Sequence, residues 1–228
     1  MPILRELNGE QVLFLHIPKT AGTSLKSHLA VNVELVFDLK FQEELPCPPQ
    51  HFHLELLTKL GVTKICSSKF AVVRHPIDRF ISEYTYRKKV DAKFKYFSFG
   101  AFVIFCKYVY AKNPYLLANH IRLQSDFLDD SIRIFKLEDG INLVLEAYPS
   151  LFNKSNSELN WKNRSPSNIV EIDKVIFDKL RTFYLKDFTQ LGYAPESTGV
   201  KIVPHRVTRY FCDWIVGALM ATAYKIKK

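Results

Sequence analysis

Hydroxyl residues gathered around one lysine and one glycine form the part of this chain best equipped for chemistry. Residues 14–25 read Phe-Leu-His-Ile-Pro-Lys-Thr-Ala-Gly-Thr-Ser-Leu and continue an apolar run. This order predicts a strand, a tight loop and the start of a helix, so that loop amides and the positive helix end face one point. Lys19 adds a cation, and Thr20, Thr23 and Ser24 add hydroxyl donors. We therefore expect the loop to bind a phosphate or a similar anion.

The order of the loop residues argues against a nucleoside-triphosphate loop. That pattern is Gly-x-x-x-x-Gly-Lys-Ser/Thr, with the lysine after the second glycine. Here Lys19 precedes Gly22, and residues 14–18 contain no glycine that would let the backbone wrap a triphosphate. A nucleotide kinase is therefore kept only as a lesser alternative.

A second segment carries an arginine at the end of a strand. Residues 70–73 are apolar and predict a buried strand, and Pro76 is typical of a first helical residue. Arg74 would lie at the carboxyl end of the strand, where open α/β sheets bind ligands. Ser82 follows about a turn and a half into the predicted helix, so its hydroxyl can meet the same anion.

Both segments resemble motifs of one enzyme family. The order Pro-Lys-Thr-Ala-Gly-Thr-Ser at 18–24 resembles the 5′-phosphosulfate loop of sulfotransferases that use 3′-phosphoadenosine-5′-phosphosulfate (PAPS), particularly their carbohydrate branch with its heparan, chondroitin and bacterial members. The pattern Arg-x-Pro-x-x-Arg-x-x-Ser at 74–82 is similar to the 3′-phosphate motif of the same family. The resemblance extends over residues 10 to 195 with declining specificity.

The resemblance implies a function and a set of ligands. The chain would move the sulfuryl group of PAPS to a hydroxyl of a carbohydrate or glycolipid by in-line displacement. Lys19 would stabilise the departing oxygen, Arg74 and Ser82 would hold the 3′-phosphate, and Arg79 would brace the helix or the loop. No metal is expected, because a sulfonate carries one negative charge. The expected cofactor-binding residues are Pro18, Lys19, Thr20, Ala21, Gly22, Thr23, Ser24, Arg74, Ser82, Lys154 and Ser155.

Two histidines are candidates for the catalytic base. The acceptor hydroxyl must lose a proton, and a histidine suits this near neutral pH. Relatives place a catalytic histidine or glutamate in the region of Pro48 to Leu54. His51 is the first choice there and His53 the second. His16 is expected to be structural, and His120 is a weaker candidate for contact with the acceptor.

The elements that must position these residues alternate along the chain. Apolar runs alternate with helical patterns, which predicts an α/β fold. The expected architecture is a single P-loop-like domain over residues 1–195, with a central parallel sheet flanked by helices. Residues 196–228 would form a tail whose helix packs on the domain or at an interface. The predicted strands are 12–15, 70–73 and 132–135, and the predicted helices are 77–89, 141–148 and 172–187.

The net charge and the cysteine positions indicate which ligands and which kinds of site can be expected. The net charge is +9, from 32 basic and 23 acidic residues. Zinc spacing, a basic helix and an RNA-binding aromatic signature are all missing, so no nucleic-acid partner is expected. A positive cleft that attracts an anionic donor needs the same excess of charge. The four cysteines at positions 47, 66, 106 and 212 are dispersed, which indicates neither a metal site nor a disulfide framework.

The two ends of the sequence give expectations about the cellular compartment and about membrane contact. The amino terminus lacks the pattern of a signal peptide or anchor, which favours a bacterial cytoplasmic enzyme or a catalytic domain trimmed from a Golgi enzyme. The apolar residues 210–224 are too few to span a bilayer. They can form an interfacial helix with peripheral membrane contact, although packing on the domain or on a second subunit is favoured. A non-catalytic anion-binding or membrane-associated module of the same fold is the alternative function.

Overall fold

The computed structural model describes residues 3–36, 38–152, 169–196 and 200–224. Its seven strands are β1 (Ile3–Arg5), β2 (Gln11–Leu15), β3 (Glu34–Val36), β4 (Ser68–Val73), β5 (Arg133–Lys136), β6 (Val170–Asp173) and β7 (Val200–Val203) in this part of the chain. Its helices are α1 (Gly22–Lys26), α2 (Leu54–Lys59), α3 (Pro76–Val90), α4 (Phe99–Lys112), α5 (Asn142–Ala147), α6 (Lys174–Phe183), α7 (Leu185–Leu191) and α8 (Val207–Ala223).

The chain divides into two compact units. The first takes the described residues of 1–74, 118–120 and 124–164, and the second takes those of 75–117, 121–123 and 165–228. The expected boundary between a domain ending at 195 and a tail beginning at 196 stays a prediction.

The first unit is built on a five-stranded mixed sheet. Its order is β3-β1-β2-β4-β5, in which β2, β4 and β5 are parallel and β1 is antiparallel to both β2 and β3. The predicted strands are those of the parallel part, each within a residue or two of its bounds. The antiparallel pair at the other edge was not expected, because three-residue strands carry too little alternation to read.

Aromatic packing fixes the centre of this sheet. Phe14 on β2 pairs in register with Phe70 on β4, and their rings stack with centroids 4.9 Å apart. Both strands are almost fully buried, as parallel strands covered on two faces usually are. Phe135 of β5 and Leu151 belong to the same apolar core. This packing holds β2 and β4 together at the centre of the sheet.

The second unit is mainly helical. Its core joins residues of α3, α4, α6, α7 and α8, and β6 and β7 form a parallel pair. Helix α4 was not predicted from the sequence, because it is apolar on nearly every side and shows no amphipathic period.

The predicted helix over 172–187 differs from the structure. Residues 170–173 form strand β6, and the helical part divides into α6 and α7 at Tyr184. Asp173 explains the late start, because its carboxylate accepts a hydrogen bond from the amide of Val175 (2.8 Å) as the N-cap of α6. The predicted helix therefore begins two residues too early, within the end of β6.

The apolar segment near the carboxyl end forms α8, which packs against α4 through small residues. A Cβ at Gly217 would lie 2.6 Å from the carbonyl oxygen of Ala101, so only glycine permits this approach. Asp213 accepts a hydrogen bond from the hydroxyl of Ser98 (2.5 Å). Among the described residues, the longest apolar helices fall short of the length and hydropathy needed to cross a bilayer.

Candidate functional site

The loop motif and Arg74 lie at one edge of the sheet. Strands β2 and β4 are parallel neighbours, with Leu15 opposite Ala71. The loop of residues 16–21 follows β2, and Arg74 follows β4, so both leave the carboxyl edge side by side. This is the place where open α/β sheets bind ligands. The expected position of Arg74 at the carboxyl end of its strand is thus found in the first unit.

The loop adopts a conformation rich in left-handed backbone. Lys19 has φ 69° and Ala21 has φ 68°, although neither is a glycine. Such residues cost about 1–3 kcal/mol each and persist where the surroundings hold them. Thr20 between them is fully buried, and its hydroxyl donates to the carbonyl oxygen of Ile17 (2.9 Å). The Thr20 hydroxyl therefore braces the loop.

Helix α1 begins where the loop ends. Its first internal hydrogen bond runs from the amide of Leu25 to the carbonyl oxygen of Ala21 (3.0 Å). The amides of Gly22, Thr23 and Ser24 are therefore not used within the helix. That these amides, together with those of the loop, bind an anion stays a prediction.

His16 lies over the start of α1. A Cβ at Gly22 would stand 2.1 Å from Nε2 of His16, so the imidazole occupies the space that any larger residue would need. The His16 ring is buried and stacks on Phe14 with centroids 5.6 Å apart. Burial, followed by the charges of His120, Lys26 and Lys19, lowers the pKa of His16 to about 3. His16 is therefore a neutral ring that shapes the loop.

The main chain of Arg74 is held by hydrogen bonds to the side chain of Gln124. The side chain of Gln124 accepts from the Arg74 amide (2.9 Å) and donates to the Arg74 carbonyl oxygen (2.7 Å). Gln124 is fully buried. A buried amide side chain that satisfies both polar groups of one residue fixes the point where β4 ends. Sequence reasoning missed this role, and a glutamine in a polar segment gives no signal of it.

The remaining residues of the second motif belong to the second unit. Arg79 on α3 is almost completely buried and donates from Nη2 to the carbonyl oxygen of Arg122 (2.6 Å). Its guanidinium also lies 5.6 Å from the ring centroid of Tyr184. The expected bracing role of Arg79 is confirmed. Ser82 is buried on α3, and its partnership with Arg74 stays a prediction.

Two further candidates cannot be placed. Lys154 and Ser155, expected to reach toward the cofactor, lie outside the described residues.

His51 belongs to a cluster of three imidazoles. It ends a single 3-10 turn, Pro49–His51, and is 6% exposed. Its ring meets His16 edge-on at 5.3 Å and His120 at 4.7 Å between centroids. Burial, followed by the charges of His120 and His16, lowers the pKa of His51 to about 2. His51 is therefore neutral in the ligand-free site, next to the ring that covers Gly22.

His53 lies in a different environment. It occupies the N-cap position of α2, and its Nε2 lies 3.7 Å from Oε2 of Glu55. Its ring meets Phe127 edge-on with centroids 6.4 Å apart. The structure thus groups His51, and not His53, with the histidine that borders the loop.

The described part of the chain contains neither a group of residues arranged to bind a metal ion nor a disulfide bond. No group of three or more histidine, cysteine, aspartate or glutamate residues there is arranged to hold a metal ion. All four cysteines are free thiols, three of them buried.

Gly22→Ala tests the close approach of His16 to α1. The added Cβ has to displace the imidazole, and overpacking of this kind costs about 1–3 kcal/mol. We expect a lower unfolding free energy, measured by urea denaturation, and weaker binding of adenosine 3′,5′-bisphosphate. The double variant His16→Ala/Gly22→Ala restores the space and should recover much of the stability. A single variant as stable as the wild type would contradict the geometry.

Part of the chain matches the sequence model of a known family. Residues 8–112, slightly less than half of the chain, match the sequence model of the sulfotransferase family. This segment contains the loop, Arg74, His51 and His53. No curated protein and no solved structure is significantly similar to the chain. The segment that carries the loop and Arg74 is thus similar to the sulfotransferase family, and this match supports the assignment of the chain to enzymes that take a sulfuryl group from PAPS.

Proposed function

We propose that the chain transfers the sulfuryl group of PAPS to a hydroxyl of a carbohydrate or glycolipid. The observation that supports this most strongly is the shared sheet edge, where the donor-rich loop with Lys19 and the end of β4 with Arg74 lie side by side. The choice of a carbohydrate acceptor rests on the resemblance of the two motifs to the carbohydrate branch.

Binding of the donor is assigned to two cationic groups. Lys19 and the amides of residues 20–24 would hold the 5′-phosphosulfate, and Arg74 would hold the 3′-phosphate. Ser82, Lys154 and Ser155 stay as further ligands that the resemblance implies. The excess of basic residues over acidic ones gives a net charge of +9, which attracts a polyanionic donor over distances of a Debye length.

The reaction breaks one S–O bond and forms another. The acceptor oxygen attacks sulfur in line with the bridging oxygen, and the electron pair of the broken bond stays on the phosphate. By analogy with phosphoryl transfer, the transition state is loose and negative charge builds on the departing oxygen. The Lys19 ammonium is suited to stabilise that charge. The acceptor proton moves to a base.

His51 is the base that the geometry favours. Its Nδ1 lies 3.0 Å from the carbonyl oxygen of Ala118, which can only accept a hydrogen bond. Nδ1 therefore carries the ring proton, and Nε2 carries the lone pair that a base needs. A pKa of about 2 makes this nitrogen a weak base in the ligand-free site. An anionic donor beside the ring stabilises the imidazolium and raises that pKa.

Ligand binding tests the two cationic groups separately. Adenosine 3′,5′-bisphosphate should bind in calorimetry in the presence of a magnesium chelator. Arg74→Ala removes a charged hydrogen bond worth about 1.5–3 kcal/mol and should weaken this ligand about tenfold or more. Adenosine 5′-monophosphate, which lacks the 3′-phosphate, should be unaffected. Lys19→Ala should abolish turnover while the protein stays folded.

The same titrations discriminate against the alternatives. Equal weakening of both nucleotides by Arg74→Ala would place Arg74 away from the 3′-phosphate. A nucleotide kinase would bind ATP and require magnesium. A non-catalytic module would bind the bisphosphate but release no product from PAPS with any acceptor of a broad panel.

The pH dependence of turnover tests His51. His51→Gln should lower kcat about 10²–10⁴-fold with unchanged bisphosphate binding, whereas His53→Gln serves as the matched control. Because the pKa of His51 in the free enzyme is about 2, the kcat/KM profile should show no acid limb between about pH 5 and 8. Donor binding raises that pKa, so the acid limb of the kcat profile should lie at higher pH. A kcat/KM limb near 6.5 that His51→Gln removes would contradict this.

We also propose that α8 makes peripheral contact with an anionic membrane. Its outward face carries Phe211, Trp214 and Leu219, which are 58%, 41% and 63% exposed. Basic residues mark both ends of this helix. Arg206 precedes it, and Lys112 donates to the carbonyl oxygen of Ala221 (3.2 Å) near its end. An apolar face between basic ends fits an interfacial helix, whereas a second copy would bring like charges together.

Vesicle flotation tests this surface. The wild-type protein should float with vesicles that contain phosphatidylglycerol, and not with pure phosphatidylcholine. Replacement of the three outward residues by serine should abolish flotation, since each loses apolar area that lies in the interface. Leu185→Ser/Ile202→Ser removes exposed apolar residues elsewhere and should float normally. Equal flotation of both variants would reject the proposal, as would dimerisation through α8.

A further inference from the structure

A turn of left-handed backbone lies beside the imidazole cluster. Leu117, Ala118 and Asn119 have φ values of 57°, 57° and 67°. L-residues other than glycine visit this region singly, and consecutive ones are strongly disfavoured. None of the three is glycine, so the surrounding contacts must hold the turn in this form.

Two hydrogen bonds of opposite direction join this turn to His51. The carbonyl oxygen of Ala118 accepts from Nδ1 of His51 (3.0 Å). The side-chain amide of Asn119 donates to the carbonyl oxygen of His51 (2.7 Å). Asn119 is fully buried. The turn thus forms hydrogen bonds with both the ring and the main chain of His51, which lies 68 positions before Asn119 in the sequence.

We infer that the left-handed turn is a positioning device for His51, and that Asn119 is its positioning residue. This rests on the proposed function of His51 as the base. The Asn119 amide fixes the His51 main chain, which sets the distance from the imidazole to the Ala118 carbonyl. That carbonyl selects the tautomer with the proton on Nδ1. The tautomer with the proton on Nε2 would set two lone pairs against each other.

The left-handed conformation is needed for this pair of contacts. The left-handed backbone lets two successive residues contact His51, Ala118 through its carbonyl oxygen and Asn119 through its side chain. Asparagine is among the few residues besides glycine that accept a positive φ. It also supplies the N–H donor that a carbonyl requires. Aspartate accepts the same backbone but offers only acceptors when ionised.

Matched variants separate the side-chain contact from the backbone shape. Ala118→Gly and Asn119→Gly both place glycine at a positive φ, where it is unstrained. The first keeps the Ala118 carbonyl, and the second removes the Asn119 amide. Asn119→Asp keeps the size of the side chain and replaces the donor by an acceptor. Thermal unfolding of each variant checks that it is folded.

Nitrogen-15 NMR of histidine-labelled protein reads the tautomer directly. The wild type and Ala118→Gly should show His51 with its proton on Nδ1 alone. Asn119→Gly and Asn119→Asp should show a mixture of tautomers and a kcat lowered about tenfold or more, in line with the loss of a buried hydrogen bond. Their affinity for adenosine 3′,5′-bisphosphate should stay within about twofold of the wild type.

The outcomes separate this inference from the proposed function. A single Nδ1–H tautomer in both Asn119 variants would overturn the inference, as would equal damage from Ala118→Gly and Asn119→Gly. If His51→Gln loses turnover while Asn119→Gly retains wild-type kcat, His51 stands as the base and the inference fails. If the wild type does not bind the bisphosphate, the proposed function fails, and the tautomer in the ligand-free variants still decides the role of the turn.

Discussion

The parallel pairing of β2 with β4 is the constraint on which the site depends. With Leu15 opposite Ala71, the loop after β2 and Arg74 after β4 begin at the same level of the sheet. A register shift of one residue would move one cationic group about 3.3 Å relative to the other. The stacked rings of Phe14 and Phe70 resist such a shift because both are buried in the core. The packing of two aromatic residues therefore sets the geometry in which an elongated anion can be bound.

Burial and positive charge together determine the state of the histidines. Desolvation is the largest cause of the low pKa of both His16 and His51, and neighbouring imidazoles add to it. Under the proposed function, the base is therefore neutral until an anion arrives. The bound donor would then supply the negative charge that makes protonation of His51 favourable. Proton transfer would thereby be coupled to occupation of the site, since an empty site holds the ring at its lowest basicity.

The sequence predicts the parts of the site that rest on local pattern. The loop from Lys19 to Ser24, the strand before Arg74 and the parallel strands follow from residue order and apolar runs. The contacts of Asn119 and Gln124 do not, because both side chains bind main-chain groups of residues distant in the chain. Any residue offers those groups, so no pairing signal exists. The left-handed turn is also hidden, since no glycine marks it.

Among the described residues, non-glycine residues with a positive φ fall in two places. Lys19 and Ala21 lie in the loop, and the turn at 117–119 holds His51. At about 1–3 kcal/mol per residue, this strain is a large fraction of the 5–15 kcal/mol by which domains are typically stable. The strain must be offset by neighbouring contacts, such as the buried Thr20 hydroxyl and the Asn119 amide. Those contacts hold the loop and the imidazole in place before any ligand binds. The entropy cost of ordering these groups is therefore part of the folding free energy of the chain, and donor binding does not have to supply it.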